Sequence, residues 1–297
     1  MIRTLLFAGL VLAGSPALAH GGHEHQALGW TWDPWIILPL GLALALFLVG
    51  RARLAARSHL PRKRALLFLG GWAVLALSLV SPLHEGGEES FTLHMIEHEL
   101  IMLVATLMLA AARSGGTLAW GLPNGLRRSL GGNWSRPIRA AWRALTEPMT
   151  ATIVQALVMW TWHAPALFDR ALAQPGWHVA QHLSFVAASL LFWTAMLNPR
   201  GGAMLTVACL FLTSLVEAAL GALMALSTSP WYSAYAAMGM SGIGLDPVAD
   251  QQLAGLLMWV PGGLVHVGAA LVILYLWLTG EKQSPPPMPA RTPIKYR

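Results

Sequence analysis

Two histidines four residues apart, His94 and His98, lie near the start of an apolar run that continues from Phe91 to Ala112. On a helix both rings fall on one face, with Glu97 beside them and Met95 and Met102 a turn either side of His98. The pair His178 and His182 repeats the spacing at the head of another apolar run. Imidazole is a ligand for copper, zinc and iron, and the thioethers of Met95, Met102, Met159, Met224 and Met258 would favour Cu(I). An ion held between two such helices would take His94, His98, His178 and His182, with His163 and Met95 as accessory donors. Glu97 is placed to tune histidine protonation, and Asp250 and His266 could form a deeper station. A lone histidine such as His84 or His163 is equally at home as a hydrogen-bonded residue at the membrane interface. Ionisable groups at membrane depth cost about 2.5–3.5 kcal/mol each on insertion scales, so two helices carrying paired histidines argue for a compensating role.

Other chemistries fit less well. His94-Met-Ile-Glu97-His98 matches the inverted zinc-peptidase pattern H-x-x-E-H, but that reaction needs a third ligand and a wet substrate cleft. Facing histidines can also ligate haem iron. The chain has a single cysteine, Cys209, so covalent haem, an intrachain disulfide and a multi-cysteine metal site are excluded.

The elements that must position these residues are membrane helices. The chain has 297 residues, is 56% hydrophobic and only 11% charged, where a soluble domain carries about 25% charge. Seven runs predict an all-α, seven-transmembrane-helix bundle at 34–50, 65–82, 91–112, 148–165, 178–197, 203–227 and 251–279. Residues 1–19 have the form of a cleavable signal peptide: Arg3, an apolar stretch Leu5–Ala13, and the small-residue site Ala17-Leu-Ala19. An external tail, 20–33, would follow, with His20, His23 and His25 as a metal-collecting group. The membrane domain would cover 34–279, and the basic, Pro-rich 280–297 would be a disordered cytoplasmic tail.

Charge sets the expected topology. Of 19 Lys and Arg, six lie in 51–64, six in 113–147, one is Arg200 and four lie after residue 281. With the mature N-terminus outside, all these segments face the cytoplasm. The loops on the other side carry Glu85, Glu88, Glu89, Asp169, Asp246 and Asp250. The net charge of +6 therefore reports topology rather than nucleic-acid binding. The segment 134–145 could form a short helix lying in the interface. Glycines 255, 262, 263 and 268 predict close packing of the last helix.

The sequence resembles the polytopic CtaG family of cytochrome c oxidase assembly factors. The resemblance rests on His94-Met-Ile-Glu-His98, on Trp160-Thr-Trp-His-Ala-Pro165 with Leu167-Phe-Asp169, and on His178-Val-Ala-Gln-His182 with Leu191-Phe-Trp193. It extends to Asp250-Gln-Gln-Leu-Ala-Gly-Leu-Leu-Met-Trp259 and to Pro261-Gly-Gly263 leading to His266. Two features depart from the family pattern: Glu97, where glutamine is the expected residue, and the histidine tail. The resemblance implies a non-enzymatic part in maturing a haem–copper oxidase, with copper handled at the outer face of the bacterial cytoplasmic membrane. The expected partners are oxidase subunits, a periplasmic copper donor drawn by the acidic loops, and the lipid bilayer. The alternatives are a copper transporter, which needs polar stations continuing to the inner face, a haem-binding redox protein, and a metal-free scaffold for oxidase subunits.

Overall fold

A computed structural model describes residues 29–55, 61–131, 135–198 and 200–280. The segment 1–19 expected to be a signal peptide, His20, His23, His25, His59 and residues 281–297 lie outside the described residues. In chain order the helices are α1 Pro34–Ala55, α2 Arg62–Val80, α3 Pro82–Glu89, α4 Phe91–Ala112, α5 Gly115–Gly121, α6 Asn124–Gly131 and α7 Arg136–Leu145. They continue with α8 Pro148–Trp162, α9 Pro165–Ala173, α10 Pro175–Met196, α11 Ala203–Ala225, α12 Ser233–Met238 and α13 Pro247–Leu278. Among the described residues there is no strand.

Six helices are long and apolar enough to cross a membrane: α1, α2, α4, α10, α11 and α13. The seventh predicted span is helical as α8, but its 15 residues fall short of the roughly 20 that cross a bilayer unaided. Helix α4 is the axis of the bundle: 56% of its apolar stretch is buried, against 17% in α1 at the periphery.

Small residues set the tightest approaches. A Cβ on Gly255 of α13 would lie 2.5 Å from the Gly221 carbonyl oxygen of α11, so the neighbour of the last helix is α11. Gly50 of α1 and Gly121 of α5 meet backbone in the same way. Gly268, by contrast, faces open space. Two helices carry π-helical stretches, Leu100–Ala105 in α4 and Met258–Gly262 in α13. In the first, the Met102 carbonyl accepts the Trp193 indole N–H at 2.8 Å and the Thr106 hydroxyl at 2.6 Å.

The two ends of the bundle differ in charge. At one end Arg53 donates to the carbonyls of Trp120, Gly121 and Leu122, Arg113 to that of Leu197, and Arg200 to that of Arg143. Between α4 and α8 this end carries α5 to α7, with α7 the short helix expected near 134–145. At the other end the 227–246 segment folds over the bundle. There Asp169 accepts from Ser233 N and Oγ, Tyr235 donates to the Gly87 carbonyl, and Gly242 donates to that of Glu89.

Candidate metal site

The histidines converge at this second, acidic end. Helix α4 starts at Ser90, whose hydroxyl accepts the Leu93 N–H and donates to Asp250 at 3.0 Å. Asp250 also accepts the N–H groups of Phe91 and Thr92 at 2.8 and 3.1 Å. A carboxylate on free N–H groups at a helix N-terminus is favourable for both charge and hydrogen bonding. Asp250 thus joins the start of α13 to the start of α4 and fixes the first turn that carries His94. Its carboxylate oxygens are engaged in that cap.

From this fixed start, His94 and His98 stand one turn apart with ring centroids 4.3 Å from each other. Both are buried, at 1% and 3% exposure. Helix α10 presents His178 and His182 towards them: His182 lies 5.1 Å from His98 and His178 lies 5.9 Å from His94, ring to ring. The two helices that the paired histidines mark do face each other.

A fifth imidazole, His84, completes the group. The sequence places it at the end of the second helix, but that helix stops at Val80. Ser81 caps a new helix, with Pro82 at its first position and His84 in its first turn. The ring of His84 is stacked on His178 at 5.2 Å and meets His182 edge-on at 5.6 Å. Ligand atoms of His84, His178 and His182 all lie within 4.8 Å of one another. The Ser-Pro pair is a helix-start signal that could have separated α3 from α2 and flagged His84.

Glu97 is the hub of the cluster. Fully buried, its Oε1 lies 2.7 Å from His84 Nδ1 and 3.2 Å from His182 Nε2. His182 Nδ1 is 3.1 Å from the His178 carbonyl, and a carbonyl can only accept, so Nδ1 carries a proton. The remaining Nε2 lone pair of a neutral His182 would then face a carboxylate oxygen. Two acceptors at 3.2 Å require a positive charge between them, a proton or a metal ion. Burial works against ionisation of His84, but the Glu97 hydrogen bond and charge, with Glu88 and Glu85 nearby, outweigh it and raise its pKa above the ordinary value. Other polar atoms here have no partner: Nε2 of His94 and His178, both ring nitrogens of His98 and Oε2 of Glu97. Buried polar groups are rarely left so.

The other candidates sit differently. His163 donates Nδ1–H to the Met159 carbonyl at 2.7 Å and leaves Nε2 buried and unpartnered. It shares Phe168 and Phe185 as ring neighbours with His94 and His98. Met95 lies in an apolar cluster with Phe91, Met159, Phe168, Met224 and Met258. His266 belongs to a separate centre. Its Nδ1 is 2.9 Å from the Gly262 carbonyl and 3.1 Å from Glu217 Oε2, and its ring stacks on Trp193 at 5.3 Å. Glu99 joins it: Oε2 of Glu99 and of Glu217 lie 3.3 and 3.5 Å from where a Cβ of Gly262 would be.

A groove of about 1340 Å³ leads to the imidazoles. It runs between α1 and α2 on one side and α10 on the other. Gly29, Glu85, Glu88, Glu89, His84, His178 and His182 line its acidic end, and Arg113, Trp142 and Asn198 its basic end. His94 and His98 are not among its lining residues, so the groove reaches the cluster from the side of His84, His178 and His182.

The family model for the cytochrome c oxidase caa3 assembly factor, Caa3_CtaG, matches residues 45–280. The chain belongs to this family. No curated protein and no solved structure matches it. The matched region holds His84, His94, Glu97, His98, His163, His178, His182 and His266, while the histidine-rich 20–25 lies before it. As a Caa3_CtaG member, the chain is a cytochrome c oxidase assembly factor built as a multi-pass helical bundle.

Proposed function

We propose that this assembly factor binds copper among His84, His178 and His182 and passes it to a haem–copper oxidase at the outer face of the bacterial cytoplasmic membrane. The observation that carries the proposal is the meeting of five imidazoles from three helices around one buried carboxylate, with three of them close enough to share an ion. Those three offer nitrogen ligands that suit copper. Glu97 orients His84 and His182 and supplies a compensating negative charge. His94 and His98 lie behind them as further donors on the buried side. Transfer needs only stepwise exchange of one nitrogen donor for another, with no covalent bond to the protein.

The concentration of Arg at one end and carboxylates at the other supports an orientation with α3, α9 and α12 outside and α5 to α7 in the cytoplasm. The acidic rim at Glu85, Glu88 and Glu89 would draw cations, or a copper donor protein, to the mouth of the groove. Glu99, Glu217 and His266 are the feature that favours the alternative of a copper transporter. Towards the arginine end, however, the bundle is filled by Leu103, Ala110, Ala151, Ala195, Met196, Cys209 and Leu210. Among the described residues that half holds no histidine or carboxylate cluster, only scattered polar side chains such as Thr152, Gln155 and Ser189, so release on the side of uptake is the better reading.

The experiment is metal analysis of the detergent-purified protein lacking residues 20–25, with and without His84→Ala/His178→Ala. Copper retained by the parent and lost by the variant supports the proposal. Equal copper in both, or none in either, refutes it.

A further inference from the structure

The groove between α1, α2 and α10 continues well past the imidazoles. On α10 it is lined by Val179, Leu183, Val186 and Leu190, whose spacing of four, three and four residues puts them on one face. On α2, Phe68, Trp72, Leu75 and Leu79 form the matching face. The indole N–H of Trp72 is already taken by the Leu40 carbonyl at 2.9 Å, so this face offers no free donor. The floor reaches the core, since Leu40, Phe68 and Ala110 are buried, and the rim opens on the side of the bundle at Trp35 and Leu183, each 62% exposed. From Val179 to Asn198, which both line the groove, the chain rises by about 28 Å at 1.5 Å per residue, close to the roughly 30 Å of a bilayer's hydrocarbon core. An apolar space of about 1340 Å³ holds water poorly and is costly to leave empty. In a bilayer, hydrocarbon fills it.

The two ends of the groove select which hydrocarbon. One end carries the carboxylates Asp33, Glu85, Glu88 and Glu89, and the other carries Arg113, Trp142 and Asn198. Arg113 ends α4 at φ 51, the one non-glycine residue of positive φ among the described residues. Glycine or asparagine is usual at such a helix end, so an arginine kept there points to a use for its side chain. The guanidinium donates to the Leu197 carbonyl at 3.0 Å, which sets it between α4 and α10 at the end of the groove. That bond takes one of its five N–H donors. On α7, Trp142 stands between Arg139 and Arg143 in the chain, and no carboxylate occurs from Leu100 to Thr146. The next one, Glu147, does not line the groove and accepts from Thr150 as the cap of α8. A phosphate is therefore favoured at the arginine end and repelled at the other. A partner's transmembrane helix fits these charges less well, because the rule that gathers basic residues on one side would set its own Lys and Arg against Arg113, Arg139 and Arg143.

We propose that the arginine half of the groove is a binding site for an anionic phospholipid of the adjoining leaflet. Its phosphate pairs with Arg113, whose guanidinium fork suits phosphate oxygens, and Arg139 and Arg143 add positive potential. Half of the hydrocarbon core spans about ten helical residues, so the acyl chains lie along Leu190, Val186 and Phe68. Filled in this way, the groove is closed to water from the arginine end, and the imidazoles are approached from the carboxylate end alone. The site needs no metal ion and does not rest on the copper reading above.

The test is native mass spectrometry of the detergent-purified full chain, titrated with phosphatidylglycerol or with phosphatidylcholine. The proteins are wild type, Arg113→Gln and Thr194→Trp. Thr194 lines the groove one helical turn from Asn198, and an indole there takes the space of the acyl chains. The wild type should hold a phosphatidylglycerol about tenfold or more tighter than phosphatidylcholine, as a charge-assisted pair implies. Arg113→Gln should erase that preference and leave phosphatidylcholine binding as it was. Thr194→Trp should lose the tightly held phosphatidylglycerol. Equal affinities in the wild type, a preference kept by Arg113→Gln, or tight binding kept by Thr194→Trp would each overturn the proposal. Should Arg113→Gln fail to fold, Thr194→Trp, which leaves the end of α4 untouched, decides the point alone. A photoreactive benzoylphenylalanine in place of Thr194 separates lipid from protein as the occupant in native membranes. A phospholipid adduct is the expected product, and a polypeptide adduct would give the groove to a partner's helix and overturn the lipid site.

Discussion

Glu97 is one carboxylate serving two imidazoles, and its replacement tests the cluster at a single atom. In Glu97→Gln the amide keeps the shape but loses the charge, so His84 and His182 lose their anionic acceptor. Copper affinity should fall by about 10–100-fold, as for other groups that orient metal ligands, while the protein elutes as a folded species. Chelator competition measures the fall, and an unchanged affinity would remove Glu97 from the site. Met95 gives the contrasting case. It is 1% exposed in an apolar cluster with three other methionines, and a Leu–Met exchange usually costs less than about 1.5 kcal/mol. Met95→Leu should leave copper stoichiometry and affinity as they are in the parent. A loss of affinity without a loss of fold would return the thioether to the ligand set.

The helices aim these residues through their ends as much as through their faces. Asp250 takes two backbone N–H groups and one hydroxyl at the head of α4. Asp250→Ala would leave three buried donors without a partner, at a cost of about 1–3 kcal/mol for each unsatisfied group. The expected result is a clear fall in melting temperature together with weaker copper binding, because the turn carrying His94 loosens. Asp250→Asn, which can still accept hydrogen bonds, should recover part of both. The histidine pairs on α4 and α10 were legible in the sequence because four-residue spacing survives any packing arrangement. The place of His84 was marked only by the Ser81-Pro82 helix-start signal, and which rings it meets depends on how α3 turns back onto α10, which no local pattern records. The role of Asp250 was hidden for a related reason: its partners are about 160 residues away in the chain, and no local pattern records which helix start it meets. The packing partner of Gly255 is another long-range fact, whereas the presence of small residues on that helix face was plain.

At the scale of the whole molecule, the separation of charge was readable from the loops, and the bundle reproduces it as two physical ends. Cys209 is the only cysteine and is buried, so single-cysteine labelling is straightforward in a Cys209→Ser background. Asp246→Cys, in the loop over the histidine end, should react with a membrane-impermeant thiol reagent on intact spheroplasts. Arg127→Cys, at the other end, should react only after the membrane is opened. The reverse pattern would invert the orientation and place the cluster on the cytoplasmic side. Composition could not show how deeply the shorter α8 sits, because its 15 helical residues gain their place from neighbours rather than from length.

The ring of imidazoles around Glu97 also sets an electrical condition. Binding a metal ion requires the ligating imidazoles to be neutral, so in that state the Glu97 carboxylate would leave the centre with one negative charge to be balanced. A singly charged ion cancels it and yields an electroneutral complex. A doubly charged ion leaves a net unit of charge that must be stabilised away from water, which costs several kcal/mol for an unpaired buried ion. If copper is the ion held there, the same arrangement that orients two histidines would also discriminate by valence, in favour of the reduced, monovalent state.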